Sequence, residues 1–217
     1  LSRDRFPCKP ETSYRTRHTK KRKRARKMKN DLRVYYDLRD SMKPGDAITF
    51  AGQFWISRLI CEKRHPKTPF HVDGRSHVAA LVSGPYGIDR KIIIEADEGE
   101  TNVRRLSSKL AAYDGKAWWH ELAPEFADCC PGFDAFLWDA VGIDYDEIGV
   151  LRNIYKYVPI ENTAFFCSEL YAAAVRNCIE TCRIGKNFAA ELLAEGIALR
   201  PTDIACLPIF SRTVRII

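Results

Sequence analysis

Read for apolar periodicity, the chain divides near residue 31. Before that point, residues 13–30 (SYRTRHTKKRKRARKMKN) contain no Leu, Ile, Val, Phe or Trp. No apolar face can form there, and a solvated tail, extended or weakly helical, is expected over residues 1–30. Beyond it, apolar residues return at the periods of helices and strands. Leu32, Tyr35, Tyr36 and Leu38 predict a short helix. Lys43-Pro44-Gly45-Asp46 is a turn signal, with Ala47–Ala51 leaving it as a strand. Phe54–Cys61 has helical spacing. Ser76–Ser83 reads as a largely buried strand, Gly84-Pro85-Tyr86-Gly87 as its turn, and Lys91–Ala96 as an antiparallel neighbour.

The second half is read the same way. Thr101–Tyr113 predicts a helix capped by Thr101, with Val103, Leu106 and Leu110 on one face. Residues 116–150, rich in Trp, Phe and Asp, read mainly as helix and loop. A long helix is expected from Ala164 to about Cys182, capped by Asn162 or Thr163. Gly196–Phe210 reads as a turn and then a strand, with Pro201-Thr202-Asp203 introducing Ile204–Leu207. This order predicts an α+β domain over residues 31–217, its mostly antiparallel sheet packed against helices.

Composition sharpens the boundary. The 217 residues are 46% hydrophobic and 29% charged, which excludes a collagen-like or wholly disordered chain and suits one domain plus a tail. Residues 1–33 hold 14 Lys/Arg and 3 Asp/Glu, a balance of +11, and the remaining 21 Lys/Arg and 25 Asp/Glu leave the body at −4. The basic character therefore belongs to the tail. An anionic partner suits it: nucleic acid, a phosphate-rich surface or a protein. The basic run lacks the repeated aromatic interleaving that base stacking uses, so sequence-specific nucleic-acid reading is not supported. No apolar run approaches the roughly 20 residues of a membrane span, and no secretory signal is visible.

The eight cysteines are Cys8, Cys61, Cys129, Cys130, Cys167, Cys178, Cys182 and Cys206. A body of this size needs no disulfide staples, and most of them lie in apolar stretches that suit reduced, buried thiols. A metal reading would join Cys129 and Cys130 to Cys178 and Cys182, but the adjacent Cys129–Cys130 pair is a poor match to C-x₂₋₄-C spacing. No metal or organic cofactor is expected.

Cys167 opens the apolar helix AFFCSELYAAAV. Free N–H groups and partial positive charge at a helix start stabilise a thiolate, the reactive form of cysteine. A cysteine after two phenylalanines equally suits a buried core thiol. A thiol nucleophile needs a base. The histidines are His18 in the tail, His65 and His71 in a predicted loop, His77, and His120 after two tryptophans. Of these, His77 starts a strand, where the backbone holds an imidazole rigidly; a structural histidine is the other reading. Glu95, within the apolar strand IIIEAD, needs a partner or a cleft. It lies within cross-strand reach of His77, or else faces solvent at a sheet edge.

At these residues the chain resembles a known family. KPGDAITF, SHVAALVSG, IIIEAD, FFCSELYAAAV and RPTDIACLP, in this order, are similar to segments of the circularly permuted papain-like amidases of the YaeF/YiiX group, relatives of the NlpC-type cysteine peptidases. The resemblance covers about Lys43 to Phe210 and implies a permuted papain-like (NlpC-type) fold, in which the histidine precedes the cysteine. It implies that Cys167 is the nucleophile and His77 the base, with Glu95 as the orienting acid. It further implies a thiol-dependent hydrolase or acyltransferase acting on a peptide, peptidoglycan or lipid-linked acyl substrate, in a bacterial cytoplasm or phage virion. Two segments, 61–75 and 116–150, depart from the family pattern and bear on substrate choice. A second function class is a non-catalytic component of a virion or envelope assembly that keeps the fold and binds a partner or polyanion through the tail. The catalytic reading expects the Cys167 sulfur within about 3–4.5 Å of a His77 ring nitrogen.

Overall fold

A strand with apolar residues on both faces is buried only when other elements cover each side of its sheet. The computed structural model describes residues 30–53, 55–62, 73–84, 90–97, 99–144, 166–182 and 199–217. Its strands are β1 (Ala47–Gly52), β2 (His77–Val82), β3 (Ile92–Asp97), β4 (Glu100–Arg105), β5 (Gly115–Leu122) and β6 (Phe210–Arg215). They form one sheet in the order β4-β3-β2-β1-β5-β6, every neighbouring pair antiparallel. The helices are α1 (Arg33–Leu38), α2 (Trp55–Glu62), α3 (Leu106–Ala112), α4 (Cys130–Asp139), α5 (Cys167–Cys182) and α6 (Pro201–Ile204). None of the described helices is long and apolar enough to cross a membrane.

The strand period sorts the core into two layers. Val78, Ala80, Val82, Ile94 and Ala96 pack with Phe133 and Leu137 of α4 and with Leu170, Ala174 and Cys178 of α5. The alternate residues Ile48, Phe50, Ala79, Leu81, Ile93, Ala117 and Trp119 pack with Tyr35 of α1 and with Leu106 and Leu110 of α3. The fold is α+β, with helices on both faces of a six-stranded antiparallel sheet.

The predicted turn before β1 is a structural knot. Gly45 takes φ +91°, the left-handed region that favours glycine, and a Cβ there would also press on the end of the Leu122 side chain at 2.8 Å. The buried Asp46 carboxylate accepts from the Lys43 N–H (2.8 Å), the Leu122 N–H (2.9 Å) and Trp119 Nε1 (2.7 Å). One side chain thus closes the turn and ties β1 to β5. The Tyr171 hydroxyl donates to Gly45 O at 2.8 Å and pins α5 to the same turn. At the other end of the body, Asn30 Nδ2 donates to Leu110 O and Tyr113 O, both at 2.8 Å. The body therefore begins beside the C-terminal end of α3. The tail expected over residues 1–30 lies outside the described residues apart from Asn30.

Three sequence expectations are corrected. Thr101–Arg105 is not helical: the β3–β4 ladder runs from Ile92↔Arg105 to Asp97↔Glu100, and the helix starts at Leu106. Ladder pairing decides here, because Val103 is exposed and anchors no helical face. The stretch from residue 116, expected as helix and loop, is β5, a strand paired on both edges. Its residues Ala117–His120 are buried on both faces, so no polar alternation marked it as a strand. The expected strand at Ile204–Leu207 gives way to α6 and a turn, and the last strand is Phe210–Arg215. Pro201 at the first helical position and the Asp203 carboxylate on the Arg200 N–H (3.0 Å) start that helix. The cap candidates Asn162 and Thr163 lie outside the described residues.

Replacing Asp46 by Ala takes the acceptor from three donors, the Trp119 Nε1 among them buried, and also removes a carboxyl that burial pushes up to about 6. A net loss of about 2–4 kcal/mol is expected from chemical unfolding. A loss under about 0.5 kcal/mol would contradict the tie.

Candidate active site

Cys167 is the first residue of α5, and its surroundings explain why the helix starts there. The Glu169 carboxylate, three residues beyond Phe166, accepts from the Phe166 N–H at 3.4 Å, half of a capping box. The Leu170 N–H donates to Phe166 O at 3.0 Å, closing the first turn. Cys167 is buried in the core layer beneath α5. The N–H groups of that first turn have no partner within the helix.

His77 is the first residue of β2. Ser76 fixes the backbone before it: its N–H donates to Phe50 O (2.7 Å), and its Oγ accepts from the Gly52 N–H (3.1 Å). The Tyr113 hydroxyl also bonds Ser76, and burial pushes that phenol up to about 12. Just upstream, Gly74 runs so close to α2 that a Cβ would fall 2.4 Å from Cys61 O. The imidazole lies 5.7 Å, centroid to centroid, from the Phe50 ring. His77 thus faces the α1/α3 layer while Cys167 belongs to the α5 layer, and the two meet where β2 begins, close enough for Cys167 to raise the His77 imidazole.

Glu95 completes the line. Its side chain is fully buried, and Oε2 lies 2.7 Å from His77 Nε2. An ionised carboxylate only accepts, so Nε2 carries the proton in this bond. Nδ1 is then the ring nitrogen left for the thiol. The β2–β3 ladder includes Ala80↔Ile94, so Glu95 reaches His77 along a diagonal and not from the directly opposite position.

Behind Glu95 stands a charge network that the sequence reading did not identify. Lys109 Nζ on α3 lies 2.9 Å from Glu95 Oε1 and 2.9 Å from Asp97 Oδ2. Arg104 lies 3.3 Å from Glu95 and 3.5 Å from Asp97. Burial pushes the Glu95 carboxyl up, but His77 and Lys109 outweigh it and hold it below its ordinary range. Asp97 is likewise held down by His77, Lys109 and Arg104 against burial. Burial alone would push His77 down; the Cys167 thiol and the Glu95 carboxylate outweigh it and raise the imidazole to about 10. One signal for Lys109 was available: it stands between Leu106 and Leu110, beside the apolar face of its helix.

The other histidine candidates separate cleanly. His120 is buried, with Nε2 2.8 Å from Thr49 Oγ1 and Nδ1 2.9 Å from Thr213 Oγ1. Burial, with the Arg75 guanidinium, lowers it to about 3, so it is a neutral structural group. His18, His65 and His71 lie outside the described residues. Cys61, Cys130, Cys178 and Cys206 are in no disulfide, and the side chains of Cys129 and Cys182 are outside the described set. Among the described residues no group of three or more His, Cys, Asp or Glu side chains is placed to hold a metal ion.

No protein-family model and no curated protein matches the chain. Among solved structures, it is similar to the crystal structure of the metalloprotein yiiX from Escherichia coli O157:H7, DUF1105. The TM-score is 0.55 at 15% sequence identity, covering 79% of this chain and 96% of that one. The likeness is one of fold.

The raised His77 value has a testable consequence for stability. The folded-state value of about 10 lies above the ordinary 6.5. The stabilisation is therefore fully present below pH 6.5 and is lost as pH rises towards 10. The stability gap between wild type and His77→Gln, from chemical unfolding, is expected to shrink across that window. A gap that stays constant or widens would contradict the charged imidazole.

Proposed function

We propose that the chain is a thiol-dependent hydrolase or acyltransferase of amide or ester bonds, with the permuted papain-like order of catalytic groups. The observation that carries this reading is the line Cys167–His77–Glu95, with its thiol at a helix start and its carboxylate buried. An imidazole that prefers its charged form is the partner a thiolate requires.

In this reading the thiol proton rests on His77 and the Cys167 sulfur attacks the substrate carbonyl carbon. The carbonyl oxygen gains the electron pair and is stabilised by the Cys167 backbone N–H at the start of α5. As the carbonyl re-forms, the bond to the leaving group breaks, and His77 gives that group its proton. Water, or another acceptor, then gives a proton to His77 and attacks the acyl carbon, and the thiolate departs. Glu95 holds the ring orientation and balances its charge. Lys109 acts through Glu95 as a positioning residue: its ammonium holds one carboxylate oxygen and leaves the other for His77. Peptide, peptidoglycan-type and lipid-linked acyl groups are the substrate classes proposed.

A metal does not fit these residues. Glu95 Oε1 faces an ammonium at 2.9 Å and a guanidinium at 3.3 Å, and Oε2 is taken by His77. Cations already occupy the positions from which a metal would be held, so no step is routed through one.

The test is an acyl-adduct screen by mass spectrometry against peptide amide and ester libraries. A substrate-derived mass increment on Cys167, absent from Cys167→Ala, is expected. His77→Ala should lower turnover by about 10²–10⁴-fold. Glu95→Gln should lower it less, since orientation is only part of the effect. Turnover that survives in Cys167→Ala would overturn the mechanism.

A further inference from the structure

Away from the thiol, the end of the β3–β4 ladder places two arginines on the lining of one cavity. Ile92 pairs with Arg105, and the Leu106 N–H donates to Lys91 O at 3.0 Å. That register sets Arg90, two residues before Ile92, on the diagonal from Arg105 at the end of β4. No carboxylate among the described residues pairs with either guanidinium. Holding like charges together is unfavourable unless an anion joins them.

The two arginines line a cavity of about 220 Å³ between α1 and α3, together with Arg39, Lys91, Ser107 and Ser108. Lys91 Nζ donates to the Met42 carbonyl (2.8 Å) and not to an acid. Arg39 pairs with the exposed Asp40 at 3.2 Å. The described lining thus presents four cationic side chains and several hydroxyls, without a carboxylate. Arg105 and Ser108 also line a neighbouring cavity of about 550 Å³ that continues to Lys109 and Tyr113.

We propose that this pair of cavities binds an organic phosphate, its phosphate group between Arg90 and Arg105 and its organic portion along the larger cavity. A phosphate presents several charged oxygens in a tetrahedron and matches many converging donors, with guanidinium forks the preferred partners. The smaller cavity suits one such group, and the larger gives the attached body a place against Ala112 and Tyr113. A free phosphate ester and a phospholipid headgroup share this chemistry. The site does not depend on the Cys167 mechanism.

The test is titration of the full chain with glycerol 3-phosphate by calorimetry, alongside flotation with phosphatidylcholine vesicles with and without phosphatidic acid. Arg90→Gln and Arg105→Gln are compared with wild type; both side chains are exposed and outside the core. Saturable binding is expected, weakened about tenfold by each substitution, as for loss of one charge-assisted contact. Arginine-dependent binding of the soluble ester identifies a free phosphate ester. Arginine-dependent binding only of phosphatidic acid vesicles identifies a lipid headgroup. Absence of binding in both arms would overturn the proposal. So would binding that neither substitution weakens, which would move the anion contact to the basic tail. Retention of a duplex oligonucleotide that depends on both arginines, without binding in either arm, would equally overturn it in favour of a nucleic-acid surface.

Discussion

A carboxylate with no exposure to water is the constraint on which this architecture turns. Glu95 sits within an apolar strand, and an unpaired charge there would cost several kcal/mol. Its two oxygens are divided between two sides: Oε2 meets the imidazole of His77, and Oε1 meets Lys109 and Arg104. Each partner comes from a different element, β2, α3 and β4, so satisfying one charge fixes three elements relative to β3. The same division orients His77, because a ring nitrogen bonded to Glu95 leaves only the other to face the thiol.

The thiol arrives from the opposite side of the sheet. Cys167 belongs to the layer under α5, while His77 faces Phe50 and α3. They meet because each begins its element: the helix starts at Cys167 and the strand at His77. The supports on either side are backbone devices. Glu169 caps the helix start, Ser76 ties the strand start to Phe50 and Gly52, and the Tyr171 bond to Gly45 holds α5 against the turn that Asp46 closes. This explains why Cys-Ser-Glu, Ser-His and Pro-Gly-Asp occur as short units: each joins an element start or a turn to its own local anchor.

Much of this was legible in the sequence, for local reasons. Strands β1 to β3 and helix α5 announced themselves by unbroken apolar runs and clear turn signals. Cys167, His77 and Glu95 stood out because thiol, imidazole and carboxylate occupied element starts or an apolar strand. What was hidden is tertiary. Strand β5 is buried on both faces and lost the alternation that marks a strand. Residues 100–105 have a helix-compatible sequence and become a strand only through the ladder with β3. Nothing in the local sequence of Lys109 and Arg104 points to Glu95; the fold alone brings them onto it. Likewise, the basic surplus assigned to the tail concealed a second cationic cluster, which only the β3–β4 register assembles.

The claim that Cys167 and His77 form one proton-sharing unit is most directly tested by site-resolved alkylation. Wild type and His77→Gln are exposed to limiting iodoacetamide across a pH series, and the modification rate at each cysteine is read by peptide mass spectrometry. The structure predicts that Cys167 outpaces Cys61, Cys130 and Cys206 at neutral pH despite its burial, and that this lead disappears in His77→Gln. A Cys167 that reacts no faster than those three cysteines, or equally fast without the imidazole, would contradict it.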